Sequence, residues 1–242
     1  MNRISWYIFY LCSSVLAVTL FSGTAFCQRG ILAFGDSLTE GCYIDYTTDF
    51  GHVGGFAYWN KLQALLVDNN FNITVFNHGK GGEVTRDGVN RLRLRLSENS
   101  CEREIEYVLI MEGTNDLLHQ YDLDTILFNL EAMINTTRDA NIEPLIATIP
   151  PDPDHPFKDI EKLNAGIRLL AAEMDVTLVE QYNVLAPQWG SYTPGCYNPR
   201  DRVHPNRVGF DVMGTIWYES LYPFLKPKLN PAIQLLLLSD TE

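Results

Sequence analysis

The sequence predicts a single α/β domain whose mainly parallel sheet is covered by helices on both faces, and three observations carry that expectation. Short apolar runs alternate along the chain with longer amphipathic ones, the pattern of repeated βαβ units. The 242 residues show no composition shift or internal repeat that would divide them, and one core accommodates a chain of this length. A composition of 46% hydrophobic and 20% charged residues with 17 Gly and 12 Pro excludes disordered, collagenous and coiled-coil classes. The formal net charge of −12 repels phosphate backbones and anionic headgroups, so nucleic acid is not an expected partner.

The first element is a leader. Arg3 is the one charge in residues 1–27, an apolar run from Ile4 to Phe21 follows it, and Ser22-Gly23-Thr24-Ala25 comes next. This is the pattern of a secretory signal over residues 1–25 with cleavage after Ala25, which makes the product secreted or periplasmic, with no stable membrane partner once the signal is gone. Two alternatives stay open: the same run retained as a membrane anchor, and lipidation of Cys27, which the bulky Phe26 opposes. Loss of Arg3 makes the remaining chain one unit more negative. In an oxidising compartment a disulfide is permitted, and Cys42 with Cys196 is the favoured pair because each lies close in sequence to a site element described below. No CxxC or Cys/His spacing suggests zinc, so neither a metal nor another cofactor is expected.

The folded domain is expected over residues 28–226, with 227–242 a tail of no assigned role. Within it Ile31–Phe34, Ile73–Phe76, Tyr107–Met111, Leu145–Ile149 and Thr177–Val179 read as buried strands. Gly55–Val67, Asp124–Ala140, Asp159–Met174 and Val208–Phe224 carry apolar residues at helical spacing. Arg91 to Leu96 alternates Arg with Leu as a strand would. Yet Val89, Leu92 and Leu96 fit one helical face, and a crossover is needed between the second and third strands, which favours helix. The stretch from Thr39 to Gly54 reads as a long loop.

Four polar blocks fall at predicted strand ends or before the last helix: Gly35-Asp36-Ser37-Leu38, Asn77-His78-Gly79-Lys80-Gly81-Gly82-Glu83, Gly113-Thr114-Asn115-Asp116 and Asp201-Arg202-Val203-His204. In a parallel sheet such loops gather at the carboxyl edge. Together they can fill the roles of acyl transfer: a nucleophile, a base, a carboxylate to orient it, and donors for an oxyanion. Ser37 is the candidate nucleophile, His204 the base and Asp201 the partner of its Nδ1 proton. The N–H groups of Ser37 and Gly82 and the side-chain amide of Asn115 are the candidate oxyanion donors. Each block alone has a plainer reading, as a helix cap at Asp36, Asn115 or Asp116 and as a tight turn at the glycines. His52, His78 and His119 lack a comparable carboxylate spacing, whereas His155, in the Pro-rich loop after the fourth strand, is positioned to border the site.

In their order and chemistry these blocks resemble the GDSL family of serine esterases and lipases, also called SGNH hydrolases, across residues 31 to about 210. The resemblance carries the nucleophile onto Ser37, the oxyanion glycine onto Gly82 with Gly81 the fallback, the oxyanion asparagine onto Asn115, and the Asp-x-x-His pair onto Asp201 and His204. It implies a three-layer α/β/α sandwich with a flavodoxin-like five-stranded parallel sheet, and metal-free ester hydrolysis through an acyl-enzyme. The expected partner is a small-molecule ester; an acyl thioester or lysophospholipid is an alternative substrate, and a catalytically silent glycan-binding member an alternative function. Aromatics flank the site: Phe56, Tyr58 and Trp59 are expected to pack inward, while Trp189 and Tyr192 are open candidates for lining a substrate groove.

Overall fold

The computed structural model describes residues 28–44, 52–54, 56–97, 103–152, 157–187, 204–205 and 207–225. The elements, in chain order, are β1 (Gln28–Gly35), α1 (Ser37–Glu40), β2 (Cys42–Ile44), β3 (His52–Gly54), α2 (Tyr58–Asp68), β4 (Thr74–Gly79), α3 (Thr85–Ser97), β5 (Arg103–Met111), α4 (Thr114–Leu118), α5 (Leu123–Asp139), β6 (Glu143–Ala147), α6 (Phe157–Glu173), β7 (Thr177–Val179), α7 (Gln181–Leu185) and α8 (Arg207–Leu221). Five strands pair in the order β4-β1-β5-β6-β7, parallel at every junction. The fold is therefore the α/β class expected, with β1 at the point where strand order reverses.

Pleat alternation sorts the side chains of β1 into two cores. Ile31 and Ala33 face a cluster built with Tyr58, Leu62 and Leu66 of α2 and Phe210, Met213 and Trp217 of α8. Leu32 and Phe34 face the other, built with Val89, Leu92 and Leu96 of α3, Ile126, Leu130 and Met133 of α5, and Leu163 and Ile167 of α6. A strand buried on both faces needs a continuous apolar run, which is why Ile31–Phe34 carries no polar residue.

The Arg91–Leu96 stretch is helical, as the face of Val89, Leu92 and Leu96 indicates, and all three are buried. The supposed loop from Thr39 to Gly54 instead contains an antiparallel pair, β2 with β3, in which Cys42 lies opposite Gly54. The fourth strand ends earlier than expected, at Ala147, and the second extends further, so Asn77, His78 and Gly79 belong to β4 itself. Among the described residues no helix is long and apolar enough to cross a membrane. Residues 1–27, the tail and Cys196 lie outside the described residues, and with them the leader and the Cys42–Cys196 pairing.

Candidate active site

The carboxyl ends of β4, β1 and β5 lie side by side, so the turns that follow them meet. After β1, the Asp36 side chain caps α1 by accepting the Leu38 N–H at 2.9 Å, which leaves Ser37 as the first helical residue. Gly35 serves close approach: a Cβ there would stand 2.2 Å from Thr39 Oγ1 and 2.4 Å from the Met111 carbonyl. After β4, Gly82 takes φ +74, a left-handed conformation that disfavours side chains. Its neighbour Gly81 donates its N–H to Glu40 Oε2 at 2.8 Å, so that donor is already engaged. After β5, the Asn115 amide donates to the Glu83 carbonyl at 2.8 Å, with Asp36 Oδ2 at 3.4 Å. Asp116 is a cap, but of another helix: its carboxylate accepts from the N–H and the hydroxyl of Thr85 at the start of α3.

His204 Nε2 lies 2.7 Å from Ser37 Oγ although the two residues are 167 positions apart. Packing explains the meeting. Thr39 of α1 hydrogen-bonds the Tyr58 hydroxyl of α2 at 3.2 Å, and the Tyr58 ring stacks on Trp217 of α8 at 5.7 Å. Gly214 admits the α2 backbone to α8, since a Cβ there would meet the Tyr58 carbonyl at 2.4 Å. Phe56 meets Phe210 edge to face and lies under the Arg207 guanidinium. The last helix thus docks on the first long one, and His204, just before it, is delivered to Ser37. Tyr58, Phe56 and Trp59 pack inward as expected.

Beneath this surface lies a charge cluster that the sequence reading missed. Burial lifts the Asp36 carboxyl to about 6, opposed by the Leu38 N–H and by nearby His204. Glu112, directly after the apolar run of β5, is buried, and desolvation followed by the charges of Asp36 and Glu83 raises its pKa well above the ordinary carboxylate value. Arg91 faces both Glu83 and Glu112. The one available signal was an acid directly after the apolar run Tyr107–Met111.

Asp201, His155, Trp189 and Tyr192 lie outside the described residues. His78, the penultimate residue of β4, accepts at Nε2 from Arg95 Nε at 3.0 Å, and His119 follows α4. Among the described residues no group of three His, Cys, Asp or Glu side chains is arranged to hold a metal.

The chain is similar to several solved structures. A lipase/acylhydrolase from Enterococcus faecalis is 21% identical, with 84% of this chain and 100% of that one covered at a TM-score of 0.66. Est24, a carbohydrate acetylesterase from Sinorhizobium meliloti, is 17% identical over 81% and 99%, with a TM-score of 0.63. The psychrotrophic esterase EstA from Pseudoalteromonas sp., in a structure inhibited by monoethylphosphonate, is 20% identical over 81% and 98%, also at 0.63. At these identities the likeness speaks for the fold. No curated protein matches by sequence. The profile of one family spans residues 33–212, from within β1 to within α8, and takes in all four polar blocks. The chain belongs to the GDSL-like lipase/acylhydrolase family.

Proposed function

We propose that this protein is an exported serine esterase that cleaves acyl or acetyl esters of small molecules, lipids or carbohydrates through a covalent acyl-enzyme. The observation that carries the reading is the 2.7 Å separation of Ser37 Oγ and His204 Nε2, the distance at which a hydroxyl hands its proton to an imidazole. In the proposed cycle His204 takes that proton as Ser37 attacks the ester carbonyl. The oxyanion is met by the N–H groups of Ser37 and Gly82 and by the Asn115 N–H now held loosely toward Asp36. The tetrahedral intermediate collapses, His204 protonates the departing alcohol, and water then repeats the sequence in reverse to release the acid. Asp201 is assigned to the Nδ1–H of His204, where a carboxylate fixes the tautomer and offsets the imidazolium charge. No cofactor enters the cycle, and the substrate is the partner.

A glycan-binding protein without catalysis has no use for a serine and an imidazole at proton-transfer distance. The test is turnover of p-nitrophenyl esters from acetyl to long acyl chains, alongside matched thioesters, by purified protein and by Ser37→Ala. Hydrolysis that vanishes in the variant supports the reading, and the acyl profile separates acetylesterase from lysophospholipase and thioesterase use. Folded protein that turns over none of these substrates overturns it.

A further inference from the structure

Arg91 stands where the three strands of the site end. Its Nε donates to Glu83 Oε2 at 2.7 Å, Nη1 to the His78 carbonyl at 2.6 Å and Nη2 to the Gly35 carbonyl at 3.1 Å. Glu112 Oε1 lies 3.7 Å from the same Nη2, and the guanidinium lies over the Phe34 ring at 3.9 Å. These contacts join the last residue of β1, the penultimate residue of β4, the residue after Gly82 and the residue after β5. They are the positions adjoining Ser37, the glycine turn and the Asn115 turn. The Asn115 amide closes the ring by donating to the Glu83 carbonyl.

The charges in this ring do not balance pairwise. Glu83 is engaged by Arg91 and, at 3.3 Å, by the exposed Lys80. Both carboxylate oxygens of Glu112 are buried, and no described donor hydrogen-bonds them. The groups facing Glu112 are Arg91 from α3, Glu83 before α3 with Lys80 behind it, and Asp36 after β1; α5 brings apolar Met133 close to it across Gly88. An ionised acid buried among two other acids against one guanidinium is costly, and a proton on Glu112 removes the excess charge.

We propose that Arg91 is a positioning residue, a clamp that keeps the Ser37 turn, the glycine turn and the Asn115 turn in register, and that Glu112 beside it carries a proton, which leaves the guanidinium to Glu83 and the two carbonyls. The role rests on the serine-esterase reading of the cleft. When Glu112 loses its proton at high pH, a second full charge competes for the guanidinium and the clamp loosens.

The experiment measures kcat and KM on p-nitrophenyl acetate from about pH 5 to about pH 9 for the wild type, Arg91→Met, Glu112→Gln and, as a control, Arg29→Met, with a melting curve of each at every pH. Misplacing reacting groups by a fraction of an ångström to an ångström lowers kcat roughly 10-fold to 100-fold, so that fall is expected in Arg91→Met with KM within about 3-fold. Arg29→Met, which removes another arginine–glutamate pair, keeps the wild-type kcat. Glu112→Gln, which cannot ionise, loses an alkaline decline in kcat that the wild type shows. A folded Arg91→Met with wild-type kcat, or a Glu112→Gln profile superimposable on the wild type, overturns the proposal. If Arg91→Met does not fold, the Glu112→Gln profile decides. A wild type inactive on every ester refutes the esterase reading and the positioning role with it, whereas an active wild type with indifferent variants refutes the clamp alone. The proton on Glu112 has a readout independent of turnover: Glu112→Gln melts higher than the wild type at neutral pH, and equal melting there overturns that part.

Discussion

At the amino end of the sheet Arg29 grips one carboxylate, its Nε and Nη2 at 2.6 and 2.7 Å from the two oxygens of Glu106, whereas at the carboxyl end Arg91 divides its donors among Glu83 and two backbone carbonyls. The arginines are similarly exposed, at 20% and 23%; the acids differ, Glu106 at 12% and Glu83 at 1%. The first pair ties two adjacent strands, β1 and β5. The second lies under the cleft with a further buried acid beside it. Residue identity therefore does not set the role of an arginine–glutamate pair; what else the guanidinium must satisfy does.

The comparison is sharpened most by variants in the cleft itself. Ser37→Ala or His204→Ala is expected to cost about 10⁶-fold in kcat, and the double variant no more than either alone, because the proposed cycle has the two act as a unit. Additive losses in steady-state kinetics would separate them. Asn115→Ala is expected to lower kcat by about 10²–10³-fold, the loss typical of one oxyanion donor, with KM little changed. A rise in KM alone would make Asn115 a binding residue. Trp217→Ala tests the packing that delivers His204. Removing this fully buried ring costs about 3–5 kcal/mol by denaturant unfolding, and activity should fall in the protein that stays folded.

A smaller effect follows from Glu112. Its folded pKa is raised above 4.5, so as pH climbs past 4.5 the unfolded chain gives up this proton before the folded one and the native state loses stability, until pH passes the folded value. Glu112→Gln escapes that loss. Its melting temperature should match the wild type near pH 4 and exceed it increasingly toward neutrality; a constant offset would place the ionisation elsewhere. Smallest of all, Arg29→Met should shift stability by no more than about 1 kcal/mol, as for a partly exposed ion pair, and leave kcat alone.

Much of this was legible in the sequence because its signals are local. Ile31–Phe34 and Tyr107–Met111 are apolar runs that belong nowhere but between two layers, and Val89, Leu92 and Leu96 mark a helix face despite the Arg-Leu alternation. Ser37 and His204 stood out by residue type and by their place beside strand or helix ends. The hairpin of Cys42–Ile44 and His52–Gly54 was missed because three-residue strands are too short to show a period. Arg91 and Glu112 were missed for a different reason. In sequence they are one arginine in a basic helix and one acid before a glycine; only the junction of three strand ends reveals that they share a buried space.

The most direct test of the account is covalent. Incubated with a fluorophosphonate probe and analysed by peptide mass spectrometry, the protein should carry one adduct, on Ser37, and His204→Ala should label far more slowly, since the imidazole proposed to accept the Ser37 proton is gone. An adduct on another serine, or none on folded protein, would contradict the central claim that Ser37 and His204 form a working nucleophile and base.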